Sequence, residues 1–332
     1  MSSPGRPPGV YHEGELAVQE RAGVRDMAAR IGRGIHALIP PAAAAFLRER
    51  RLVFLGAADA AGRPWAAALS GPAGFVQALD AQAVRIAAAP ARGDPFGEVV
   101  EAAPPGDAAR GAGILVGFLA VDFAARRRVR VNGRLTIGED GAFHLGADQV
   151  YANCPKYIQA RHVDDAPADG RPDDGAAAGR LATPARRGST LTESHRELVR
   201  RADTFMIATV HPEAGADCSH RGGRPGFVRA EGERLTWPDY VGNAMFNTLG
   251  NIAAYPRAGL LFVDFERGST LQLTGRAGID WHSTHAEAVP GAERRVTLDV
   301  EEVVEVEHAL PLRFRLLSYS PFNPPAHPDG AE

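Results

Sequence analysis

Apolar residues in this chain come in short runs separated by turn residues. "LVFLGAAD" (52–59) and "FMIATVHP" (205–212) read as opening strands, and "GILVGFLAVDF" (113–123) and "AGLLFVDF" (258–265) as later ones. Such even spacing of short runs favours a closed or nearly closed antiparallel barrel. Helical periodicity replaces it in two places. "GELAVQERAGVRDMAARIGRGI" (14–35) reads as helix, and so does "LTESHRELVRRA" (191–202), with Thr190 and Glu193 forming its capping box.

The runs repeat in order. "GPAGFV" (71–76) answers "GRPGFV" (223–228), "GFLAVDF" (117–123) answers "GLLFVDF" (259–265), and "VRVNGR" (129–134) answers "LQLTGR" (271–276). Three ordered matches indicate a duplicated unit. The first copy is longer, its excess lying in "EAAPPGDAARGAG" (101–113). The predicted organisation is an N-terminal tail with helices (1–48), a first unit (49–161), a flexible linker (162–189), a second unit (190–318) and a tail (319–332). The linker assignment rests on its polar, Gly/Pro/Asp/Ala-rich composition.

The 332 residues suit about two domains with a sizeable core. A net charge of −3 gives no electrostatic reason to expect nucleic acid. Two distant cysteines, Cys154 and Cys218, suit a reducing cytosol and cannot build a four-thiolate metal site. No apolar run approaches the roughly 18 residues of a membrane helix, and the N-terminus lacks the apolar core of a signal peptide. The expected location is therefore the cytoplasm.

The copies differ where chemistry would lie. Ser219, His220 and Arg221 of "DCSHRGGRPGFV" fall opposite Ala67, Ala68 and Leu69. The polar trio is either a ligand edge or a polar turn, and its presence in one copy only favours binding. In "RRRVRVNGR" strand alternation puts Arg126, Arg128, Arg130, Asn132 and Arg134 on one face, against Thr270, Gln272, Thr274 and Arg276 in the second copy. Crowded like charges ask for solvent or an anion, and arginine forks match phosphate oxygens. "WPDYVGNAMFNTLGNIAAYPRAGLLF" places Asn243, Asn247 and Thr248 around the start of a short helix, where free N–H groups can meet an anion or the asparagines can simply cap. "NCPKYIQAR" offers Lys156 and Tyr157 as substrate or ring contacts, or a solvated turn. No nucleophile–base pair or metal-ligand spacing stands out.

The segment "GN..F.TLGNI...PRAGLLFVDF", together with "SHRGG.PGFV" and "NCPKYIQ", resembles the pyridoxamine 5′-phosphate oxidase-like superfamily of flavin-binding split barrels, in a tandem-repeat bacterial branch. The resemblance covers roughly 50–160 and 200–308. It implies a mainly β fold with flanking helices: two tandem split β-barrels forming a pseudo-dimer within the chain, which itself can be a homodimer. It further implies FMN between the barrels and an oxidoreductase acting on a small organic substrate. The cofactor residues it points to are Ser219, His220, Arg221, Asn243, Asn247, Thr248 and Gln272, with Arg128 and Arg130 from the first unit. Many members carry arginine and lysine where this chain has Asn247 and Thr248. Other split barrels bind or degrade haem, for which the histidines at 211, 220, 282, 285 and 308 are available, and a non-catalytic binding protein of the same fold is the third alternative.

Overall fold

A computed structural model describes residues 10–101, 113–152, 154–164, 185–281 and 289–325. Three helices lead in: α1 (Glu13–Arg21), α2 (Arg25–Gly32) and α3 (Pro41–Arg48). The single helix expected over 14–35 is broken at 22–24, where Gly23 takes a positive φ of 68°. Seven strands follow: β1 (Leu52–Ala58), β2 (Pro64–Ser70), β3 (Val76–Ala78), β4 (Ala83–Ile86), β5 (Ile114–Asp122), β6 (Arg127–Ile137) and β7 (Phe143–Ala152), with α4 (Pro95–Glu101) between β4 and β5. They form one antiparallel sheet in the order β2-β1-β5-β6-β7-β4-β3.

After β8 (Ala160–Asp164), β9 (Arg186–Gly188) and α5 (Glu193–Arg201) the pattern returns. The second sheet contains β10 (Thr204–His211), β11 (Gly215–Gly222), β12 (Arg229–Glu231), β13 (Arg234–Tyr240), β14 (Arg257–Val263), β15 (Thr270–Asp280) and β16 (Ala292–Val306). Its order, β11-β10-β14-β15-β16-β13-β12, repeats the first, and α6 (Asn247–Ala254) takes the place of α4. The final strand, β17 (Arg313–Ser318), pairs with β8.

Three boundaries differ from the sequence reading. The 162–189 segment is structured at both ends: β8 closes against β17, and β9 pairs with β16. Residues 165–184 lie outside the described ones. The C-terminal stretch is packed as far as 325, with Ser320 buried and the Asn323 amide donating to Gln159 Oε1. The cap of α5 is Thr192, paired with His195 rather than Glu193.

The unbroken apolar runs have a physical cause: their strands are buried on both faces. On β1, Val53, Leu55 and Ala57 fill the first barrel, while Leu52 and Phe54 join a separate core between the barrels. On β10, Phe205 and Ile207 face inward, while Met206 and Ala208 enter that same shared core. Phe123, Phe265 and Phe314 close it with edge-to-face contacts at 5.4–5.9 Å. The repeated glycines lie where the sheets cross. A Cβ on Gly117 would fall 2.4 Å from the backbone of Asp217 and Cys218, and one on Gly259 2.3 Å from the Pro64 carbonyl oxygen. Two strands can approach this closely only without side chains. The duplicated units thus pack face to face as a pseudo-dimer.

Candidate functional site

The face-to-face packing turns β6 of the first unit toward β11, the edge strand of the second sheet. Between them and α6 lies a cavity of about 890 Å³, counting the space at its mouth. The lining comes mainly from five segments: Arg128 and Arg130 on β6; Cys154, Lys156 and Tyr157 on the loop after β7; Ser219, His220 and Arg221 on β11; Asp239 and Tyr240 at the end of β13; and the turn from Asn243 into the first residues of α6. Ten of the eleven residues singled out from the sequence meet here.

Gln272 does not. It is the repeat partner of Arg130, since Arg130 pairs with Leu119 and Gln272 with the matching Leu261. Its side chain therefore reaches into the pseudo-equivalent position of the other unit. There it is fully buried and donates to the Ala66 carbonyl and to Asp94 Oδ1, both at 2.9 Å. Asp94 precedes α4 as Phe246 precedes α6, so this second position is filled by the protein's own polar groups.

Arg130 is buried at 4 % exposure and largely committed to the protein. It donates to Tyr151 Oη at 2.9 Å, to Asp217 Oδ1 at 3.0 Å and to Ser219 Oγ. Asp217 also accepts from Asn132 at 2.7 Å and from Asn251 at 3.0 Å. Thr248 Oγ1 donates to Ser219 Oγ at 3.1 Å. This network fixes the floor.

The upper cations are different. The Arg128 guanidinium lies 3.4 Å from His220 Nδ1, and Arg221 reaches only the His220 carbonyl. Burial, then the neighbouring Arg130 and Arg221, pull the Arg128 pKa down to about 9. Burial also lowers Arg221, with Asp239 opposing and Arg130 adding to the effect. Burial, then Arg128 and Arg221, hold His220 well below the usual histidine range. An arginine can only donate, so His220 Nδ1 accepts and its proton sits on Nε2. Arg128 Nε, Arg130 Nε and His220 Nε2 are buried without a hydrogen-bond partner. All three are donors. Clustered, desolvated, unpartnered donors, two of them on cations, are costly unless an anion completes them. α6 adds to this: its N-terminus has no side-chain cap, and Asn247, Thr248 and Leu249 of its first turn line the cavity.

The opposite wall is aromatic. Tyr157 holds a positive φ of 66°, donates its hydroxyl to the Val241 carbonyl at 3.0 Å, and stacks obliquely on Tyr240 with ring centres 5.2 Å apart. Lys156 stands beside it, 5.9 Å from the Phe322 ring centre. Asp239, the one carboxylate among the described residues lining the cavity, is pushed upward by burial, with Arg221 and Arg294 opposing. Sequence reasoning missed Asp239, Tyr240 and Asp217. Asp217 belongs to the quoted "DCSHRGG" stretch, but nothing in the pattern marked it as the counter-ion of Arg130.

His12, Glu13 and His211 bring candidate ligand atoms within 4.8 Å of one another. Their hydrogen bonds speak against a metal. His12 Nδ1 accepts from the Gly14 N–H, and His211 Nδ1 from those of Glu213 and Ala214. Both rings therefore carry their proton on Nε2, the atom facing the cluster, and direct it at Asn251 and Glu13. Of the other histidines considered, His308 lies on an exposed turn, and His282 and His285 are outside the described residues.

The family model described as pyridoxamine 5′-phosphate oxidase matches residues 191–306, the second unit from α5 to the end of β16. The match places this second unit in the pyridoxamine 5′-phosphate oxidase-like superfamily. Among solved structures, HupZ from group A Streptococcus is 18% identical, with 33% of this chain and 90% of that one covered and a TM-score of 0.29. A putative pyridoxamine 5′-phosphate oxidase from Lactobacillus delbrueckii is 17% identical, covering 34% and 93% at a TM-score of 0.30. HutZ, a haem storage protein from Vibrio cholerae, is 12% identical, covering 35% and 94% at 0.27. These are likenesses of fold, each to about a third of the chain. No functionally curated protein matches the sequence. Among the described residues no helix is long and apolar enough to cross a membrane.

Proposed function

We propose that the cavity between the two barrels of this superfamily member holds one FMN, and that the protein is an oxidoreductase acting on a small organic substrate. The observation that carries this reading is the set of buried donors without partners, Arg128 Nε, Arg130 Nε and His220 Nε2, gathered in one cavity. A phosphate dianion offers the acceptors they lack. Arg128, His220 and Arg221, with the uncapped first turn of α6, would hold the phosphate, over the floor made by Ser219, Thr248 and Arg130. Lys156, Tyr157 and Tyr240 remain for the ring or the substrate. FMN supplies two-electron redox chemistry when bound, and the protein's part is to bind, orient and shield. The surplus of positive charge favours anionic ligands throughout.

The haem alternative fits less well. A histidine ligating iron through Nε2 carries its other proton on Nδ1, but His220 Nδ1 faces the Arg128 guanidinium, which only donates. The deciding experiment is the visible spectrum of the purified protein, followed by titration with FMN and with haemin. Flavin bands or saturable FMN binding support the proposal. A Soret band without FMN binding, or no binding of either, overturns it.

A further inference from the structure

The helix α1 lies outside both repeats and outside the matched family segment, yet it packs most extensively against α6, whose first turn lines the cavity. The two helices touch backbone to backbone. A Cβ on Gly14 would fall 2.3 Å from the Gly250 carbonyl oxygen, and one on Gly250 2.5–2.6 Å from Glu15. No side chain fits between them, so their relative position is set by hard contact.

Side chains then join α1 to the site. Glu15, at 3 % exposure, accepts from the Asn247 amide through Oε1 at 2.5 Å and from the His12 N–H through Oε2 at 2.9 Å. His12 Nε2 donates to Asn251 Oδ1 at 2.9 Å, and Asn251 in turn donates to Asp217. Gln19 Nε2 donates to the Met245 carbonyl at 3.0 Å, on the turn that enters α6.

The bond from Asn247 to Glu15 has a directional consequence. A carboxylate only accepts, so the Asn247 NH₂ group must face Glu15 and its Oδ1 must face the other way. That oxygen lies 3.4 Å from both Arg130 Nη1 and Tyr151 Oη. With the amide turned over, an NH₂ group would confront the guanidinium and add repulsion on the cavity floor. Glu15 therefore decides whether Asn247 presents an acceptor or a donor to Arg130, and Arg130 bonds to Ser219 at the cavity floor.

We propose that α1 is a built-in part of the anion site, with Glu15 the positioning residue that orients Asn247 and, through it, Arg130. The inference deepens the FMN reading and rests on it for the identity of the ligand, but the orientation argument holds for any anion in the cavity. The test is a double-mutant cycle with Glu15→Ala, Asn247→Ala and the double variant, titrated with FMN and separately with inorganic phosphate. Far-UV circular dichroism and urea unfolding identify variants that are merely unfolded. Glu15→Ala is expected to weaken anion binding about tenfold in the wild-type background and by a factor near one when Asn247 is already alanine, because the effect passes through that side chain. A purely structural role would weaken both backgrounds equally, so an additive cycle overturns the proposal, as does unchanged affinity in Glu15→Ala. If Glu15→Ala does not fold, Glu15→Met, which fills the space but cannot take the place of the carboxylate as acceptor for the Asn247 amide, supplies the same cycle with Asn247→Ala. Wild-type protein that binds phosphate but not FMN overturns the FMN reading and leaves the cycle to be read with phosphate. Protein that binds neither overturns both.

Discussion

Asp94 should make the stability of this protein fall as pH rises, and replacing it with asparagine should remove that fall. The residue lies between the two barrels at 4 % exposure, where Oδ1 accepts from Gln272 Nε2 at 2.9 Å and from the Phe96 N–H at 2.8 Å. Burial raises its pKa from 3.8 to about 6, against the opposing pull of those two donors and of Arg187. The folded protein therefore keeps a proton that the unfolded chain gives up. The contribution to stability is complete below pH 3.8 and is lost as pH rises through 6. A difference of roughly two pKa units at 1.36 kcal/mol each amounts to about 3 kcal/mol. Asparagine is uncharged at every pH, and its Oδ1 can keep both hydrogen bonds. Asp94→Asn should match wild type near pH 4 and exceed it by up to about 3 kcal/mol at pH 8, on the same linkage. Urea unfolding at half-unit steps from pH 4 to 8, followed by the near-UV signal, measures this directly. A stability difference that stays flat with pH, or a variant weaker than wild type at pH 8, would refute the reasoning.

Arg221→Ala should weaken FMN binding about ten- to hundredfold, the worth of a charge-assisted hydrogen bond of roughly 1.5–3 kcal/mol; flavin fluorescence titration checks it, and equal affinities remove Arg221 from the site. Saturated protein should release one FMN per chain on denaturation, because Gln272, Asp94, Ala67 and Ala68 fill the pseudo-equivalent position with groups that offer a phosphate no cation; a ratio near two would contradict this. Cys154, partly exposed at the cavity wall, should react with a thiol reagent in the native state. Cys218, fully buried and pushed up to about 12 by burial, should react only after unfolding; two fast thiols would show that the shared core opens readily.

Local pattern carried the architecture. The duplicated order of apolar runs announced two like units, because strand spacing and turn residues are recorded within a few residues of each other. The asymmetry of Ser219, His220 and Arg221 against Ala67, Ala68 and Leu69 was visible for the same reason. Alternation along β6 also showed which side chains share a face. It did not show which cavity that face meets, and this is why Gln272 was placed with its apparent counterparts. Its strand has the same role as β6, but the pseudo-symmetry carries it to the other position. A lone carboxylate such as Asp239 on a strand leaves no periodic trace at all.

The sequence by itself determined the duplication, the β class, the one-sided polar trio and the arginine strip, all of them short-range properties. Only tertiary structure decided what these groups face. Arg128 and His220 are 92 positions apart, Arg130 and Asn247 117, and Asn247 and Glu15 232. Their meeting depends on two sheets packing through Gly117 and Gly259 and on α1 folding back across Gly250. Those contacts are matters of shape and close approach, which no run of neighbouring residues encodes, and they alone turn separate polar residues into a single cavity of unpartnered donors.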